Sequence, residues 1–381
     1  MRFKQSGIRL GKILLLLAML LLCGLTVFGC IGGALPKGWS GGTIANDTLF
    51  LGSMDGRLIA INLSDNSSLW EVPLETPKPT GGGFGFGCAP ASTSVAIYGS
   101  PAVDGDLVYI GGYNGKIYAL SSSSGTLRWI YPRQDSLQPI VSGPVVALGK
   151  VYIGCSDGTL YALDATTGDK QWGFQTGDKI WSTPAIDGDT IYISSFDKKL
   201  YALNATNGNK KWEFEAEGAV ASTPLIYNST VYIGSFDRYL YAINADNGSL
   251  KWKFIAEKWF WARPVAYNNT IYAPCLDGKI YILDADSGHE LVDAIDLGSP
   301  ISSLPVLVDS SVIIAAEEGE LYSIDTSNNQ IKPLASLGGT VDAPLCARDG
   351  VVYVHTQKSE SLYVLNAQTG VVLWRLPLTT K

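Results

Sequence analysis

The chain has 381 residues, of which 46% are hydrophobic and 17% charged, so it has ample material for a large core. Its net charge is −7, yet the first 29 residues hold four of the 28 Lys and Arg residues and none of the 35 Asp and Glu residues. The rest of the chain is therefore strongly acidic and has no basic stripe, which argues against nucleic-acid binding. We expect no nucleic-acid partner.

The N-terminus has the pattern of a targeting segment. Four basic residues precede an unbroken apolar run that ends at residue 29. A basic stretch followed by an apolar one is typical of a secretion signal and takes no part in the fold. We therefore interpret residues 1–29 as a signal peptide or membrane anchor, and residues 30–39 as a linker.

The end of this run indicates how the protein is tethered. Val27, Phe28, Gly29 and Cys30 resemble the lipobox of bacterial lipoproteins, in which the cysteine is lipidated and becomes the new N-terminus. The resemblance implies lipidation at Cys30. The run is also just long enough to remain as an uncleaved membrane helix, and simple secretion is the third alternative. All three place the body of the protein outside the cytoplasm, at the cell surface or in the periplasm.

The rest of the chain is built from a repeat. The stretch from Leu160 to Trp172 reads LYALDATTGDKQW, and close copies begin at Leu200 and Leu240. Eight units can be aligned on this tryptophan, at Trp70, Trp129, Trp172, Trp212, Trp252, Val292, Pro333 and Trp374. A repeat of this period determines the whole fold, because each unit packs against its neighbours. An insertion at 71–99 separates units one and two.

One unit shows the expected structure. Alternating apolar residues predict short strands at 183–186, 190–195, 200–204 and 210–215, separated by turn residues such as Gly188. A single four-stranded meander cannot bury both of its faces, whereas eight arranged radially cover one another. The sequence therefore predicts an all-β, eight-bladed β-propeller of four-stranded antiparallel blades over residues 40–381.

The units share the pattern A-x-D/N-x-x-x-G-x-x-x-W, as at Ala162, Gly168 and Trp172. The glycine supplies a turn, and we expect the small alanine to leave a gap that a tryptophan of the neighbouring blade fills. This pattern resembles the tryptophan-docking motif of the pyrroloquinoline quinone (PQQ) repeat family. Val292 and Pro333 replace the tryptophan in units six and seven, so we expect a weaker joint there.

The PQQ-repeat family contains quinoprotein dehydrogenases and non-catalytic propellers such as the lipoprotein B subunit of the outer-membrane assembly (Bam) complex. The dehydrogenases carry a pair of adjacent cysteines, a calcium ion held by Glu, Asn and Asp, and long loops between blades. This chain has no Cys-Cys pair and mostly minimal loops. The resemblance therefore implies the non-catalytic branch, without PQQ or calcium; a PQQ-dependent quinoprotein dehydrogenase is the enzymatic alternative.

The cysteines and histidines of the repeat region indicate no reactive site. The cysteines are Cys88, Cys155, Cys275 and Cys346. An oxidising compartment would permit disulfides, but Cys155 and Cys275 occupy the same place in units three apart, so we expect buried free thiols. His289 and His355 have no second histidine nearby, and we expect both at the surface.

The two sets of loops differ in character. Turns between first and second strands, and between third and fourth strands, are short and polar. The opposite face carries the inter-blade connections and the second-to-third-strand hairpins, which are rich in glycine and aromatic residues. It includes Phe84, Phe86, Tyr113, Phe196, Phe236 and the segment EKWFWARP at 257–264.

One column of the repeat places large rings where the innermost strands begin. Three residues before the first-strand proline, or before Gly42 in unit one, are Trp39, Tyr98, Val141, Trp181, Ala221, Trp261, Ser302 and Val341. If the innermost strands line a central channel, these rings crowd its mouth. They either plug the channel as packing or form a platform for a partner or ligand.

Aromatic residues and arginine are the usual anchors of binding surfaces. The candidate binding residues are Trp39, Tyr98, Trp181, Trp259, Phe260, Trp261 and Arg263. We expect Trp259 and Phe260 to be needed for binding and dispensable for folding. The leading hypothesis is a non-catalytic, membrane-tethered scaffold or binding module with envelope protein partners. An extracytoplasmic small-molecule or glycan sensor is the second binding hypothesis.

Overall fold

A computed structural model of the chain describes residues 37–74, 95–358 and 360–378. The targeting segment with Cys30, most of the linker, and the middle of the insertion with Phe84, Phe86 and Cys88 lie outside these residues. The described ranges contain no helical segment with the length and apolar character needed to span a bilayer. They fold entirely as strands, turns and connections.

The first four sheets are blades 1 to 4, and each has its four strands in chain order. Their strands are β1 (Gly42–Ala45), β2 (Thr48–Gly52), β3 (Arg57–Asn62), β4 (Ser68–Pro73), β5 (Ala102–Asp104), β6 (Leu107–Gly112), β7 (Lys116–Ser121), β8 (Leu127–Tyr131), β9 (Val145–Ala147), β10 (Lys150–Gly154), β11 (Thr159–Asp164), β12 (Lys170–Gln175), β13 (Ala185–Asp187), β14 (Thr190–Ser194), β15 (Lys199–Asn204) and β16 (Lys210–Glu215).

Blades 5 to 8 repeat the arrangement. Their strands are β17 (Leu225–Tyr227), β18 (Thr230–Gly234), β19 (Tyr239–Asn244), β20 (Leu250–Ile255), β21 (Val265–Tyr267), β22 (Thr270–Pro274), β23 (Lys279–Asp284), β24 (Ile295–Asp296), β25 (Val306–Val308), β26 (Ser311–Ala315), β27 (Glu320–Asp325), β28 (Ile331–Ser336), β29 (Cys346–Arg348), β30 (Val351–Thr356), β31 (Ser361–Asn366) and β32 (Val372–Pro377).

The predicted all-β, eight-bladed fold is confirmed. In blade 4, the last three strands match the expected bounds to within one residue, and the first begins two residues later at Ala185. All pairings in that blade are antiparallel. The expected insertion begins inside β4, which extends to Pro73. Alternation of apolar and polar residues on short strands was sufficient to locate these elements.

The core lies between the blades. Eight clusters of buried side chains each combine residues of two neighbouring blades. In the cluster between blades 3 and 4, for example, Leu160 packs with Ile191 and Ile193. Because each sheet is covered on both faces, the middle strands are buried along nearly their whole length. The short innermost strands of adjacent blades also contact one another around the centre.

The joint between blades differs from the one expected. The Trp129 indole N–H donates a hydrogen bond of 2.9 Å to the carbonyl of Ala165 in the next blade, and Trp212 and Trp252 make the same bond to their next blades. The motif alanine does not hold the neighbour's ring: Ala162 is the cross-strand partner of Trp172 in its own blade. The residue that makes room for the neighbouring indole is the motif glycine.

The blades without the tryptophan are irregular. Val292 is followed by β24, an outer strand of only two residues. The hydrogen bond that a second-strand tyrosine donates to the next blade also has a different acceptor between blades 6 and 7. Tyr152 and Tyr232 donate to main-chain carbonyls of the next blade, but Tyr272 donates to the Asn329 side chain at 3.0 Å.

The ring closes between blades 1 and 8 without exchange of a strand, since each of these blades is formed by one continuous segment. Leu49 and Leu51 of blade 1 share a buried cluster with Leu362 and Val364 of blade 8. The joint is therefore an ordinary inter-blade core, which requires no special sequence signal.

Two buried polar side chains of blade 8, His355 and Glu360, make contacts to blade 1 and to the segment before it. The Glu360 carboxylate accepts a hydrogen bond from the Met54 amide, and Nδ1 of His355 lies 2.9 Å from the Ser40 carbonyl oxygen. The expectation of a surface position for His355 is wrong, because its side chain is buried inside β30. Its position in the sequence, between alternating apolar strand residues, was a signal for burial.

Candidate functional site

A central cavity of about 550 Å³ opens among the innermost strands. Its lining includes seven of the eight residues of the aromatic column, namely Trp39, Tyr98, Val141, Trp181, Ala221, Trp261 and Ser302. The volume lies in the range typical of small-ligand pockets. These residues meet because each of them lies just before the innermost strand of its blade, and the innermost strands surround the centre of the ring.

Blade 8 departs from the expected column. Val341 is fully buried between blades 7 and 8, and Asp342 lines the cavity instead. Its carboxylate accepts a hydrogen bond of 2.7 Å from the Ser302 hydroxyl of blade 7. Counted to its proline, the connection into blade 8 is one residue shorter than those into blades 4 to 7, which shifts the column by one position.

Rings of blades 1 and 2 contact one another on one side of the cavity. The centroids of Trp39 and Tyr98 are 4.4 Å apart with the planes at 73°. Tyr98 in turn meets Tyr113, at the tip of a hairpin, at 5.4 Å. Edge-to-face contacts of this kind are favourable beyond the area they bury.

A longer series of rings crosses blades 4, 5 and 6; we call it the aromatic ladder. Trp181 contacts Phe196 at 4.8 Å, and Phe196 contacts Phe236 at 5.6 Å. Phe236 stacks on Trp259 at 4.5 Å with 12° between the planes, and on Trp261 at 5.9 Å. The hairpin tips thus join the cavity mouth to the outer surface of this face.

A cation covers the blade-4 end of the ladder. The Lys179 ammonium lies 4.5 Å from the ring centroids of both Trp181 and Phe196. The quadrupole of an aromatic ring attracts a cation in this position. This contact fixes the two rings without covering the other end of the ladder.

Trp259 and Phe260 are adjacent in sequence but have opposite environments. Trp259 is 45% exposed, whereas Phe260 is 1% exposed and packs in the core between blades 5 and 6. The expectation that Phe260 is a dispensable surface residue is therefore wrong. It occupies the position four residues before the first-strand proline, where five other units place the buried residues Ile97, Ile140, Ile180, Val220 and Ile301. That apolar column was visible in the sequence.

Arg263 lines the cavity next to the ladder. Its Nε is buried, and among the described residues its guanidinium has no hydrogen-bond or ion-pair partner. Burial lowers its pKa below the usual range, although arginine remains protonated at neutral pH.

The residues that correspond to Arg263 in blades 4 and 5 have a structural role. The Thr183 hydroxyl accepts a hydrogen bond of 3.0 Å from the Gly143 amide. Thr223 accepts one of 3.3 Å from the Thr183 amide. An arginine side chain has no acceptor, so Arg263 cannot continue this series around the ring.

The opposite face consists of short turns, as expected, and exposed apolar residues such as Leu148 and Val371 are few in them. Leu148, in the turn from β9 to β10, is 56% exposed and has φ of 52°. Isolated exposed apolar residues are normal on protein surfaces.

The cavity does not fit a calcium-assisted quinone site. Within the described ranges, no three His, Cys, Asp or Glu residues are grouped so that they could hold a metal ion. The cavity lining contributes one carboxylate, that of Asp342. Calcium prefers six to eight oxygen ligands with several carboxylates among them, which this lining does not supply.

The described cysteines are free thiols, as expected. Cys155 and Cys275 are fully buried between blades, and desolvation raises the pKa of each thiol to about 12. Because the thiolate is the reactive form, burial and the raised pKa both disfavour nucleophilic attack by these two thiols at neutral pH.

Comparisons with known proteins agree on the family. The model of the family described as outer membrane protein assembly factor BamB matches residues 77–181 and 157–376. Two curated proteins with that name are similar. The one from Alkalilimnicola ehrlichii is 26% identical over 93 residues, or 24% of this chain and 22% of that protein. The one from Aliivibrio fischeri is 33% identical over 98 residues, or 26% of this chain and 22% of that protein. The alignments thus span about a fifth of each curated relative.

Two solved structures share the fold. BamB from Moraxella catarrhalis superposes with a TM-score of 0.69 at 17% identity, over 83% of this chain and 92% of that one. The computationally designed Ika8 protein superposes with a TM-score of 0.70 at 14% identity, over 86% of this chain and 96% of that one. At these identities the likeness establishes the architecture alone.

Proposed function

We propose, from the premise that this chain belongs to the family described as outer membrane protein assembly factor BamB, that it is a non-catalytic scaffold of the cell envelope. Its role is to bind protein partners during assembly of membrane proteins. The family match over most of the propeller and the names of the similar curated proteins support this role.

The observation that carries the proposal is the asymmetry of the two faces. One face presents short polar turns, while the other presents the aromatic ladder, which ends in the exposed ring of Trp259. Large rings held in place by their neighbours lose little freedom on binding and supply most of the affinity at interfaces. We place the partner-binding surface on the ladder face, around Phe236 and Trp259.

Loss of the exposed ring tests this surface. The full-length chain and its Trp259→Ala variant are expressed in cells, and their complexes are crosslinked, purified from membranes and quantified. Truncation of a binding anchor typically weakens affinity by about 2 kcal/mol or more, so the variant is expected to lose its crosslinked partner. Leu148→Ala is the matched control, since it removes an exposed apolar side chain from the opposite face. Equal recovery with all three proteins would overturn the proposal.

The tether is part of the same proposal. The lipobox resemblance at Cys30 supports a lipoprotein, facing out of the cytoplasm. Labelling with a fatty-acid analogue is expected to mark the wild type and not Cys30→Ala, which should accumulate as an uncleaved precursor. An unlabelled wild type that keeps its first 29 residues would instead favour the membrane helix.

We further propose that the protein works without PQQ or calcium. The missing Cys-Cys pair and the poor fit of the cavity lining support this. Purified protein mixed with PQQ and calcium, then separated from unbound cofactor, is expected to show no quinone absorbance. Retention of one cofactor per chain would overturn this proposal and favour the dehydrogenase alternative.

A further inference from the structure

Arg263 is the one charged residue in its column of the repeat, which is the position directly before the first-strand proline, or before Gly42 in unit one. The corresponding positions in the other units hold Gly41, Ser100, Gly143, Thr183, Thr223, Leu304 and Ala343, all small or apolar. The hydroxyls of Thr183 and Thr223 each accept an amide hydrogen bond from the preceding blade, and a long cation at position 263 ends that series and brings a charge into the column. A departure from a repeat that lowers stability without a local gain is characteristic of functional sites.

The position of Arg263 is also energetically unfavourable for the chain alone. Its Nε is buried and unpartnered in the described structure, although the side chain as a whole is partly exposed at the cavity. A buried N–H donor without an acceptor costs free energy. Asp342 lines the same cavity two blades away, but no ion pair joins the two residues. The Asp342 carboxylate is engaged with the Ser302 hydroxyl instead.

The surroundings of the guanidinium specify what would satisfy it. Trp181 and Trp261 of the ladder, and Trp39 and Tyr98 across the cavity, form flat apolar walls. A guanidinium recognises a carboxylate through paired N–H donors, and such charge-assisted bonds are about twice as strong as neutral ones. The walls suit a planar or apolar group attached to that carboxylate.

We propose that the central cavity is a binding site for a single carboxylate attached to a planar or apolar group, with Arg263 as its anchor; one cation in a cavity that also holds the Asp342 carboxylate does not suit a polyanion such as PQQ. The site is independent of the scaffold role, because the partner surface lies at the exposed end of the ladder and the cavity lies at its inner end. The carboxylate comes either from a free small molecule or from the C-terminus of a peptide chain. Both sources present the same chemistry to Arg263.

Calorimetric titration of the full-length protein tests the site. Benzoate and its neutral analogue benzamide represent the free source. Acetyl-Gly-Phe with a free or an amidated C-terminus represents the chain end. At least one carboxylate is expected to bind about tenfold more tightly than its amide, because the amide cannot form the charge-assisted pair. The pair that shows this preference identifies the source, whereas no preference in either pair overturns the proposal.

Variants assign the preference to Arg263. Arg263→Gln is expected to bind each carboxylate no better than its amide, and Arg263→Lys to keep part of the preference because it keeps the charge. Arg133→Gln is the matched control: Arg133 is exposed, pairs with Asp169 and lies outside the cavity, so the preference should be unchanged. If Arg263→Gln and Arg263→Lys both keep the full preference, Arg263 is not the anchor and the proposal fails.

Discussion

Gly168 lies so close to the Trp129 indole of the preceding blade that a Cβ atom on Gly168 would be 2.6 Å from the ring. A Cβ atom added to Gly208 would lie at the same distance from the Trp172 ring, and one added to Gly248 at the same distance from the Trp212 ring. The glycine also has φ of 73°, in the left-handed region. One residue thus supplies both the turn of its own blade and the space for its neighbour's tryptophan, which explains why the repeat spaces the two residues as it does.

Substitution of this glycine should damage a joint and not only a turn. Gly168→Ala is expected to lower the free energy of unfolding by about 1–2 kcal/mol for the left-handed backbone and by a further ~1–3 kcal/mol for overpacking against the indole. Gly149→Ala is the control, because Gly149 has φ of 67° but nothing within 4 Å of its added Cβ. Denaturant unfolding of both variants measures the difference. Equal losses of unfolding free energy in the two variants would show that the Trp129 indole moves aside at no cost.

The indole itself should matter more than the residue that replaces it in blade 6. Trp129 is 7% exposed, so Trp129→Ala is expected to destabilise the protein by about 3–5 kcal/mol. Val292 is only half-buried and has fewer carbons, so Val292→Ala should cost about 1 kcal/mol. Thermal and denaturant melts compare the two. Similar losses would mean that the joint beyond blade 6 is as firm as the others.

Trp259 and Phe260 should separate binding from folding. Trp259→Ala removes one stacking contact with Phe236 and is expected to cost about 0.5–1.5 kcal/mol of stability. Phe260→Ala empties a core site and is expected to cost about 3–5 kcal/mol. Circular dichroism melts of the two single variants provide the comparison. A large loss for Trp259→Ala would assign the aromatic ladder to packing.

The buried thiols should be protected until the propeller unfolds. At pH 8 a thiol with a pKa of about 12 is only ~10⁻⁴ ionised, whereas an unfolded thiol is ionised to roughly a quarter. Peptide mass spectrometry after iodoacetamide treatment is expected to find Cys155 and Cys275 unmodified in native protein and modified in denaturant. The raised pKa also predicts how folding stability changes with pH. Because folding raises the pKa of these thiols, their contribution to stability is present below about pH 8.5 and is lost as pH rises towards 12.

The repeat allowed the fold to be predicted almost completely. Eight copies of one pattern fix the strand order, and the alternation within a copy fixes the strand bounds. The error at the joint has a physical cause. Ala162 and Gly168 are both small, and the sequence alone does not show which of them faces the neighbouring blade. Backbone geometry decides this, because the turn at Gly168 projects towards the adjacent sheet.

The site was harder to predict than the fold. The column with Trp181 and Trp261 follows the repeat, so its position at the cavity was visible in the sequence. Phe260 was misassigned because an aromatic run hides which ring belongs to the apolar column. Asp342 was missed because one residue is absent before the proline of blade 8. The Arg263 Nε lacks a hydrogen-bond acceptor in the described structure. This could not be predicted, because it depends on which groups of the neighbouring blades face the side chain.

Photo-crosslinking in living cells tests the central claim most directly. A photoreactive phenylalanine analogue is placed at Trp259 on the aromatic-ladder face or at Leu148 on the polar face, both of which are exposed. The scaffold role predicts that irradiation yields a discrete adduct with an envelope protein from position 259 and none from position 148. Adducts from position 148 alone, or none from either position in protein that is folded and membrane-associated, would contradict it.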